Sequence, residues 1–433
     1  MADPNAPTPA PAAVTESAPI VFSDDMHSAA EVIVIYSPDP RAIGIRIPLG
    51  EVPAAIGRQP TARSPVAIND TTMSRDHASV QLRPDGVAIV QDLQSKNHTY
   101  VMGAATARRA LLEGDVLRIG STLLVFRRNR ATRLRPLAFA ERSSDVFSGL
   151  SFAAERVRQL VSSEARSNRA VHIVGEAHTG RSFVAEQLHA VSDRPAPLVH
   201  LSCRGVQAER FRREVCERLR LQDPALVTTI VLRDLAALPH ALQLELHSAL
   251  DDSVATRTPG ACLRTRLVSI ADESVSLSVD AGDLRRELAA AIADVALELP
   301  PLRERREDVL LLMDVFLQAL QTEAHFLPDA AEALVVFPWR LNLHELQRAA
   351  AAVAESGTHG DVAVSDLPEA FQQVRLRREV LDFGERPTRE FLLQVLEAYG
   401  GNLVHVAHHL RRDRRQVYRW LETYGIDAAT YRG

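Results

Sequence analysis

The chain has 433 residues, of which 46% are hydrophobic and 24% are charged, as in a globular protein of several domains. Its net charge of −5 excludes a chain that is basic throughout, so any nucleic-acid surface must be local. No apolar run approaches the roughly 18 residues that a transmembrane helix needs, and the N-terminus lacks a signal-peptide pattern, so we expect a cytoplasmic protein without a membrane partner.

Two details of residue usage affect the interpretation of single residues below. Cys203, Cys216 and Cys262 form no C-x-x-C pair, which favours buried thiols in a reducing compartment. Lys96 is the only lysine, and an arginine-biased genome is the simplest reason. An arginine that replaces an expected lysine therefore does not by itself prove loss of function.

The first part of the chain predicts a tail and a β-sandwich. Residues 1 to 28 are rich in proline and alanine and are expected to be disordered. Residues 29 to 130 hold short β-type runs at 31–36, 78–82, 87–90 and 123–126. The sequence Arg83-Pro84-Asp85-Gly86 predicts a hairpin turn between two of them. Many short strands without a helical period indicate a β-sandwich.

Five separated motifs of this region suggest a phosphate reader. They are Gly57-Arg58, Ser74-Arg75-Asp76-His77, the stretch from Asp92 to Val101, Gly114-Asp115 and Ile119-Gly120. Their order and spacing resemble the forkhead-associated (FHA) domain. A phosphate dianion needs arginine forks and hydroxyls that are held on rigid loops. The resemblance implies phosphothreonine binding by Arg58, Ser74, Arg75, Ser95, Lys96 and Asn97.

One departure affects the tip of this region. The family's Asn-Gly-Thr turn reads Asn97-His98-Thr99, and histidine tolerates a positive φ less well than glycine. His77 resembles the family's structural histidine, which holds one loop against another. The alternative is a sandwich that now mediates only protein contacts.

After a linker at residues 129 to 145, the pattern changes to an α/β domain. Nearly continuous apolar runs at 171–174, 198–201, 230–232 and 267–270 favour buried parallel strands over residues 147 to 300. Residues 301 to 373 are helical, with amphipathic stretches at 308–320, 330–337 and 343–353.

A phosphate-binding loop follows the first of these strands. Residues 175 to 182 read Gly-Glu-Ala-His-Thr-Gly-Arg-Ser, one residue away from G-x-x-x-x-G-K-[ST]. The glycines can still present backbone N–H groups to a phosphate at the start of a helix. The candidate nucleotide-binding residues are Gly175, Thr179, Gly180, Arg181 and Ser182.

The segment Leu-Pro-Pro-Leu-Arg-Glu-Arg-Arg-Glu-Asp-Val at residues 299 to 309 carries a second resemblance. It resembles the AAA+ domain of sigma-54-dependent transcription activators, with its helical lid. The resemblance implies an ATPase, but several positions depart from it. Arg181 replaces the lysine, Arg233 the metal carboxylate, Asp272 a polar sensor, Ala291 one of two trans-acting arginines (Arg285 keeps the other), and His344 the sensor arginine.

These departures predict a scaffold rather than an enzyme. The Gly-Ala-Phe-Thr-Gly-Ala loop that grips the sigma factor is also absent. We therefore expect no catalytic residues, no metal and no required cofactor, with residual ATP binding left open, as is homo-oligomer formation. The rival interpretation is an active ATP-dependent activator.

Residues 385 to 433 predict a small all-α unit. Helices at 388–399, 404–410 and 414–423 are separated by Gly400-Gly401-Asn402 and Arg411-Arg412-Asp413. The unit resembles the Fis-type helix-turn-helix of the same activators. Val417, Trp420 and Leu421 are expected to face its core. The resemblance and the local arginine cluster predict binding to double-stranded DNA by Arg412, Arg414, Arg415, Gln416 and Arg419.

The leading hypothesis is a transcription regulator with three modules. Its FHA domain would bind a phosphothreonine protein, such as a Ser/Thr kinase or its substrate. Its AAA+ part would act without hydrolysis, and its last helices would bind DNA. A second rival is an adaptor that binds phosphoproteins and not DNA.

Overall fold

A computed structural model of the chain describes residues 30–59, 67–84, 86–128, 147–221, 223–255, 263–356 and 360–372, and parts of 389–427. The expected tail, the linker at residues 129 to 145, Cys262 and Arg412 lie outside the described residues.

The N-terminal region is an antiparallel β-sandwich, as the sequence predicts. One sheet has the order β2-β1-β10-β9-β6-β7 and the other β3-β4-β5-β8. The ten strands are β1 Glu31–Tyr36, β2 Arg46–Pro48, β3 Ala54–Ile56, β4 Ala78–Leu82, β5 Ala88–Asp92, β6 Thr99–Val101, β7 Ala104–Thr106, β8 Arg108–Ala110, β9 Val116–Ile119 and β10 Thr122–Arg127. The predicted hairpin joins β4 to β5, where Gly86 N donates to Arg83 O over 2.8 Å.

The second region is a parallel sheet flanked by helices. Its strand order is β12-β13-β14-β11-β15, with β11 Val171–Val174, β12 Val199–Ser202, β13 Thr229–Arg233, β14 Arg266–Ala271 and β15 Val295–Glu298. The helices of this region are Phe152–Glu164, Arg181–Ala190, Ala208–Phe211, Arg218–Arg220, His240–Ala255, Val275–Asp280 and Arg286–Ile292, with a π-helical stretch at Arg212–Glu217. Cys203 and Cys216 are buried free thiols, as expected.

A helical lid follows the sheet. It contains Val309–Ala319, Pro328–Val336, Asn342–Glu355 and Glu369–Gln372, together with the short parallel pair β16 Ala324–Phe326 and β17 Gly360–Val362. Trp339 is fully buried and packs against Phe337 and Phe371. These aromatic contacts close the end of the lid.

The C-terminal unit is described in part. The helix Arg414–Tyr424 is present, and buried Val417, Trp420 and Leu421 face a small apolar cluster, as predicted. The rest of that cluster comes from Leu392, Leu396, Leu403, Val406 and Ala407. Among the described residues, no helix is long and apolar enough to cross a bilayer.

Candidate functional site

The predicted phosphate-binding residues of the sandwich gather at one end of it. Arg58 follows β3, and its N–H donates to Ser74 O over 2.9 Å. A Cβ atom on Gly57 would lie 1.7 Å from Arg75 O, so only glycine lets the two segments approach this closely. Two exposed arginines and a half-buried serine are thereby brought side by side from different loops.

His77 fastens this loop to the next one. It is fully buried, its Nδ1 accepts from Ser74 N over 3.1 Å, and its Nε2 lies 3.0 Å from His98 O. An acceptor at Nδ1 and a donor at Nε2 define a neutral imidazole with its proton on Nε2. Burial holds the pKa of His77 below its ordinary value, in agreement with that state. His77 therefore joins the loop of Ser74 to the loop of His98, which is the structural role that the resemblance implies.

The loop from Ser95 to His98 completes the apex. Lys96 N donates to Ser74 Oγ over 3.1 Å, and Asn97 Nδ2 donates to Thr72 O over 2.6 Å. Both side chains are exposed. Ser95 is buried and its hydroxyl donates to Asp92 over 2.6 Å, so it supports the loop from within. His98 has φ 56°, the left-handed geometry that glycine would adopt without strain.

This apex combines two guanidinium groups, an ammonium group, a hydroxyl and an amide on loops of a rigid sandwich. Charge-assisted hydrogen bonds from such groups are among the strongest that a phosphate oxygen can accept. The arrangement can therefore bind a dianionic phosphate, with Asn97 offering an amide to an adjoining peptide.

The phosphate-binding loop of the α/β domain has the expected backbone path. Gly175 has φ 158°, and a Cβ atom there would lie 2.4 Å from Leu299 O. Gly180 has φ 105° at the start of the helix Arg181–Ala190. The buried Thr179 donates its hydroxyl to Glu176 O over 2.9 Å. Both glycines are thus accounted for by the turn alone, without a ligand.

The side chains of this loop have internal partners. Arg181 lies 2.7 Å from an Asp272 oxygen and donates to Ala271 O, and its side chain is only 13% exposed. The two departures from the ATPase pattern, Arg181 and Asp272, therefore pair with each other. Such a pair directs the guanidinium toward the end of β14.

A second arginine reaches the position expected to serve a metal. Arg233 ends β13, and its Nη2 donates to Ser182 Oγ over 2.9 Å. Asp234 has φ 56° and lies 3.8 Å from Arg204. A cation bonded to the serine hydroxyl repels a divalent metal there. These residues do not fit Mg²⁺, and no cluster of metal-ligating side chains occurs among the described residues.

Lid residues hold the loop from the other side. Leu343 N donates to His178 O over 3.1 Å, and the rings of His178 and His344 stack at 5.1 Å. The buried Asn342 donates to Ala177 O over 3.0 Å. Glu176 pairs with Arg303, which lowers the pKa of that carboxyl. The sequence identified His344 as the sensor position and included Glu176 in the loop, but it did not predict the contacts that Asn342 and Glu176 make there.

The positions of the trans-acting arginines lie at the helix Arg286–Ile292. Arg285 precedes this helix, with its Nε 3.5 Å from a Glu287 oxygen, and Ala291 lies within it. The neighbouring Gln243 accepts from Arg285 N over 2.9 Å. Of the two positions that the resemblance assigns to arginine, Arg285 keeps the guanidinium and Ala291 does not.

The C-terminal helix presents part of its predicted basic face. Arg415 and Arg419 are exposed and Gln416 is half-buried. Residues four apart lie on the same side of a helix, so Arg415 and Arg419 share a face. Arg414 begins the helix, but its side chain is outside the described part of the chain, as is Arg412.

Comparison with known proteins agrees with the three regions just described. The FHA domain model matches residues 55–120, the Sigma-54 interaction domain model matches residues 149–302, and the AAA+ ATPase lid domain model matches residues 303–381. The resemblance to sigma-54-dependent regulators, the sandwich and the AAA+ part with its lid are thereby confirmed. The C-terminal helix-turn-helix stays a prediction.

Known regulatory proteins are similar to a large part of the chain. It is 27% identical to the regulatory protein AtoC of Escherichia coli (strain K12) over 61% of its own length and 64% of AtoC. It is 28% identical to the C4-dicarboxylate transport transcriptional regulatory protein DctD of Rhizobium meliloti, over 64% of each chain. The chain thus spans slightly less than two thirds of these relatives. A solved structure of NtrX from Brucella abortus with ADP is 22% identical over 65% of this chain and 70% of that one, with a TM-score of 0.43.

Proposed function

We propose that this chain, which belongs to the family of sigma-54-dependent regulators, is a transcription regulator that binds a phosphothreonine protein and DNA without hydrolysing ATP. In this proposal its FHA apex recognises the phosphorylated partner, a Ser/Thr kinase or its substrate. The AAA+ part is a scaffold and an assembly surface in the cytoplasm. The last helix binds in the major groove of DNA.

The observation that carries the proposal is the apex of the sandwich. Arg58, Ser74 and Arg75 are fixed side by side by the close approach at Gly57 and by the buried His77. A site that is built before the ligand arrives avoids the entropic cost of ordering its loops. Positive side chains on such a frame favour a dianion over an unmodified threonine.

The absence of turnover is supported by the two arginines of the nucleotide loop. Arg181 is engaged with Asp272, and Arg233 is bonded to Ser182. Phosphoryl transfer relies on a bound Mg²⁺ to neutralise developing charge. In this loop a guanidinium lies at the serine hydroxyl, where the family has a carboxylate for that metal.

Arg58→Ala tests the phosphopeptide site. Titration of a phosphothreonine peptide from the partner kinase should show binding to the wild type, and Arg58→Ala should abolish it. The matched control is Arg128→Ala, because Arg128 is an exposed arginine of the same sandwich that donates to Gly86 O in the β4–β5 hairpin, at the opposite end of β4 from His77. Equal affinity of wild type and Arg58→Ala would contradict phosphate reading at this apex.

A phosphate-release assay with ATP, Mg²⁺ and DNA tests the scaffold. The full chain should give no turnover above a blank, and the result should be the same when sigma-54 polymerase is added. Calorimetry with ATP then measures whether the loop still binds a nucleotide. Turnover comparable to that of an intact family member would establish the rival, an active ATPase.

A further inference from the structure

The sandwich is docked on the lid rather than joined to it by the linker alone. One continuous cluster of buried apolar side chains runs from the sandwich strands into the lid helices. The helix Pro328–Val336 contacts β9 and β10. Tyr36 of β1 donates its hydroxyl to Phe326 O in the lid over 2.7 Å. The two domains therefore share part of their core.

A buried carboxylate of the lid is satisfied by the sandwich. Glu332 has a side chain only 8% exposed, and it accepts from Arg118 Nε over 2.8 Å and from Gly103 N over 3.1 Å. The Arg118 guanidinium lies 3.9 Å from the centre of the Tyr100 ring. Burial raises the pKa of Glu332, whereas Arg118 acts to lower it. Without the sandwich, this carboxylate would lose both donors.

A second ionic contact lies at the start of the lid. Arg127, at the end of β10, pairs with Glu307 and donates to Glu304 O over 2.9 Å. The Arg306 guanidinium lies 3.2 Å from Met102 Sδ. Arg303 and Arg305 of the same short segment bind the phosphate-binding loop, through Glu176 and Thr179 O. One segment thus contacts the sandwich on one side and the nucleotide loop on the other.

Strand β6 connects the phosphate-binding apex to this interface. It spans only Thr99–Val101, so Asn97 of the apex and Gly103 of the interface are six residues apart in the chain. That stretch is at most about 20 Å long when extended. Thr99 also donates to Asp92, the carboxylate that holds Ser95. The apex loop and the lid contact are therefore the two ends of one short strand.

We propose that occupation of the apex is coupled through β6 to the docking of the sandwich on the lid. This inference rests on the proposed phosphothreonine site. Coupling between two sites is reciprocal, so full loss of docking must change peptide affinity by the same factor by which the peptide changes the docking equilibrium. Docking holds the Met102–Gly103 end of β6, and its loss should loosen the apex and weaken peptide binding.

Glu332→Gln in the full chain tests this coupling. Glutamine keeps the shape of the side chain and removes the negative charge to which Arg118 and Gly103 N donate. Phosphothreonine peptide affinity should fall about fivefold, the lower end of ordinary allosteric coupling. Hydrogen exchange should show that the peptide slows exchange in residues 102–104 and in the helix Pro328–Val336 of the wild type.

Asp329→Asn is the matched control. Asp329 lies on the same helix and 3.5 Å from the same arginine, but its side chain is 72% exposed. The affinity of Asp329→Asn for the phosphothreonine peptide should equal that of the wild type. Unchanged affinity in Glu332→Gln, with no peptide effect on exchange in the helix, overturns the coupling and leaves the phosphate site intact.

Lack of peptide binding by the wild type overturns the phosphate site and the coupling together. The docking itself is then read separately, as faster exchange in the helix Pro328–Val336 of Glu332→Gln without peptide. These readouts keep a failed phosphate site distinct from a failed coupling.

Discussion

At the scale of single residues, the predicted nucleotide loop departs from the ATPase pattern at positions whose side chains contact one another. Arg181 departs from the ATPase pattern and so does Asp272, and the two side chains form an ion pair. Arg233 replaces a carboxylate and donates a hydrogen bond to the hydroxyl of Ser182. A sequence shows each departure by itself, but it cannot show pairing between positions about 50 to 90 residues apart. This pairing agrees with the proposed scaffold, which the phosphate-release assay tests.

His77 gives the apex a pH dependence with a definite sign. Its pKa in the folded protein lies below the ordinary value of 6.5, because burial disfavours the charged ring. The unfolded chain therefore binds more protons between the two pKa values, and stability rises with pH through that window. The contribution is fully present above about pH 6.5 and is lost as the pH falls toward the folded pKa.

His77→Gln should remove this dependence. Glutamine can accept from Ser74 N and donate to His98 O without titrating. The free energy of unfolding, measured with urea at pH 8 and at pH 5.5, should fall more in the wild type than in the variant. His172, whose pKa burial lowers to about 4, is present in both proteins and cancels in the difference. Equal losses would mean that His77 is not held neutral by the fold.

At the scale of elements, buried parallel strands were the most predictable part of the fold. The run 171–174 matches β11 without error, and the other three predicted runs agree with β12, β13 and β14 within one residue at either end. The fifth strand, β15, was not predicted. Burial on both faces leaves a nearly continuous apolar signature. The three-residue strands β2, β3, β6, β7 and β8 of the sandwich were missed, because so short a stretch has no measurable period.

The candidate sites divide in the same way. Residues of a motif, such as Arg58 and Arg75, were predicted because their spacing follows a family pattern. The contacts that position them were not, with the exception of His77. The buried Asn342 and the partner of Glu176 depend on how the lid folds back over the loop. Sequence separation hides such contacts, since they are made only after the domains have packed.

The helix Arg414–Tyr424 carries the prediction that belongs to this scale. Arg415→Ala combined with Arg419→Ala should weaken DNA binding, because both side chains lie on the exposed face of that helix. Replacing an arginine that pairs with a base edge should cost about 1–3 kcal/mol, and replacing one that neutralises a phosphate should lower the salt slope by about one. Fluorescence anisotropy against salt concentration, on fragments enriched by genomic pull-down, measures both quantities.

The control for this experiment is Arg213→Ala, an exposed arginine of the α/β domain that lies beside Glu214. It removes one positive charge and should leave DNA affinity unchanged. Absence of any enriched fragment with the wild type would favour the adaptor that binds phosphoproteins alone.

At the scale of the whole molecule, the arrangement of the domains is what the sequence did not reveal. Residues 129 to 145 have the composition of a linker, and that composition does not indicate whether the domains on either side are in contact. In the structure, the sandwich and the lid share an apolar core and are joined by buried ion pairs. Nothing in the sequence indicated this docking surface. Glu332 looks like an ordinary charged residue of a helical region, and Glu307 lies in the segment 299–309, which indicated the AAA+ family and not a contact with the sandwich.

Arg127→Met tests whether sandwich and lid unfold as one unit. Arg127 is largely buried, and its pKa is raised because Glu307 and Glu113 outweigh the cost of burial. Methionine fills similar volume but leaves Glu307 buried without its partner. Breaking a buried pair in this way costs about 3–5 kcal/mol. Calorimetry of the variant should show the sandwich melting earlier and apart from the α/β domain, where the wild type shows a shared transition.

The neighbouring Arg128→Met separates docking from general loss of charge. Arg128 is exposed and donates to Gly86 O within the sandwich, so its removal leaves the lid contact untouched. Its free energy of unfolding should stay within about 0.5 kcal/mol of the wild-type value, as for most surface substitutions. If Arg127→Met behaved like Arg128→Met, the Glu307 contact would contribute nothing to docking, and the shared apolar core alone would have to hold the sandwich on the lid.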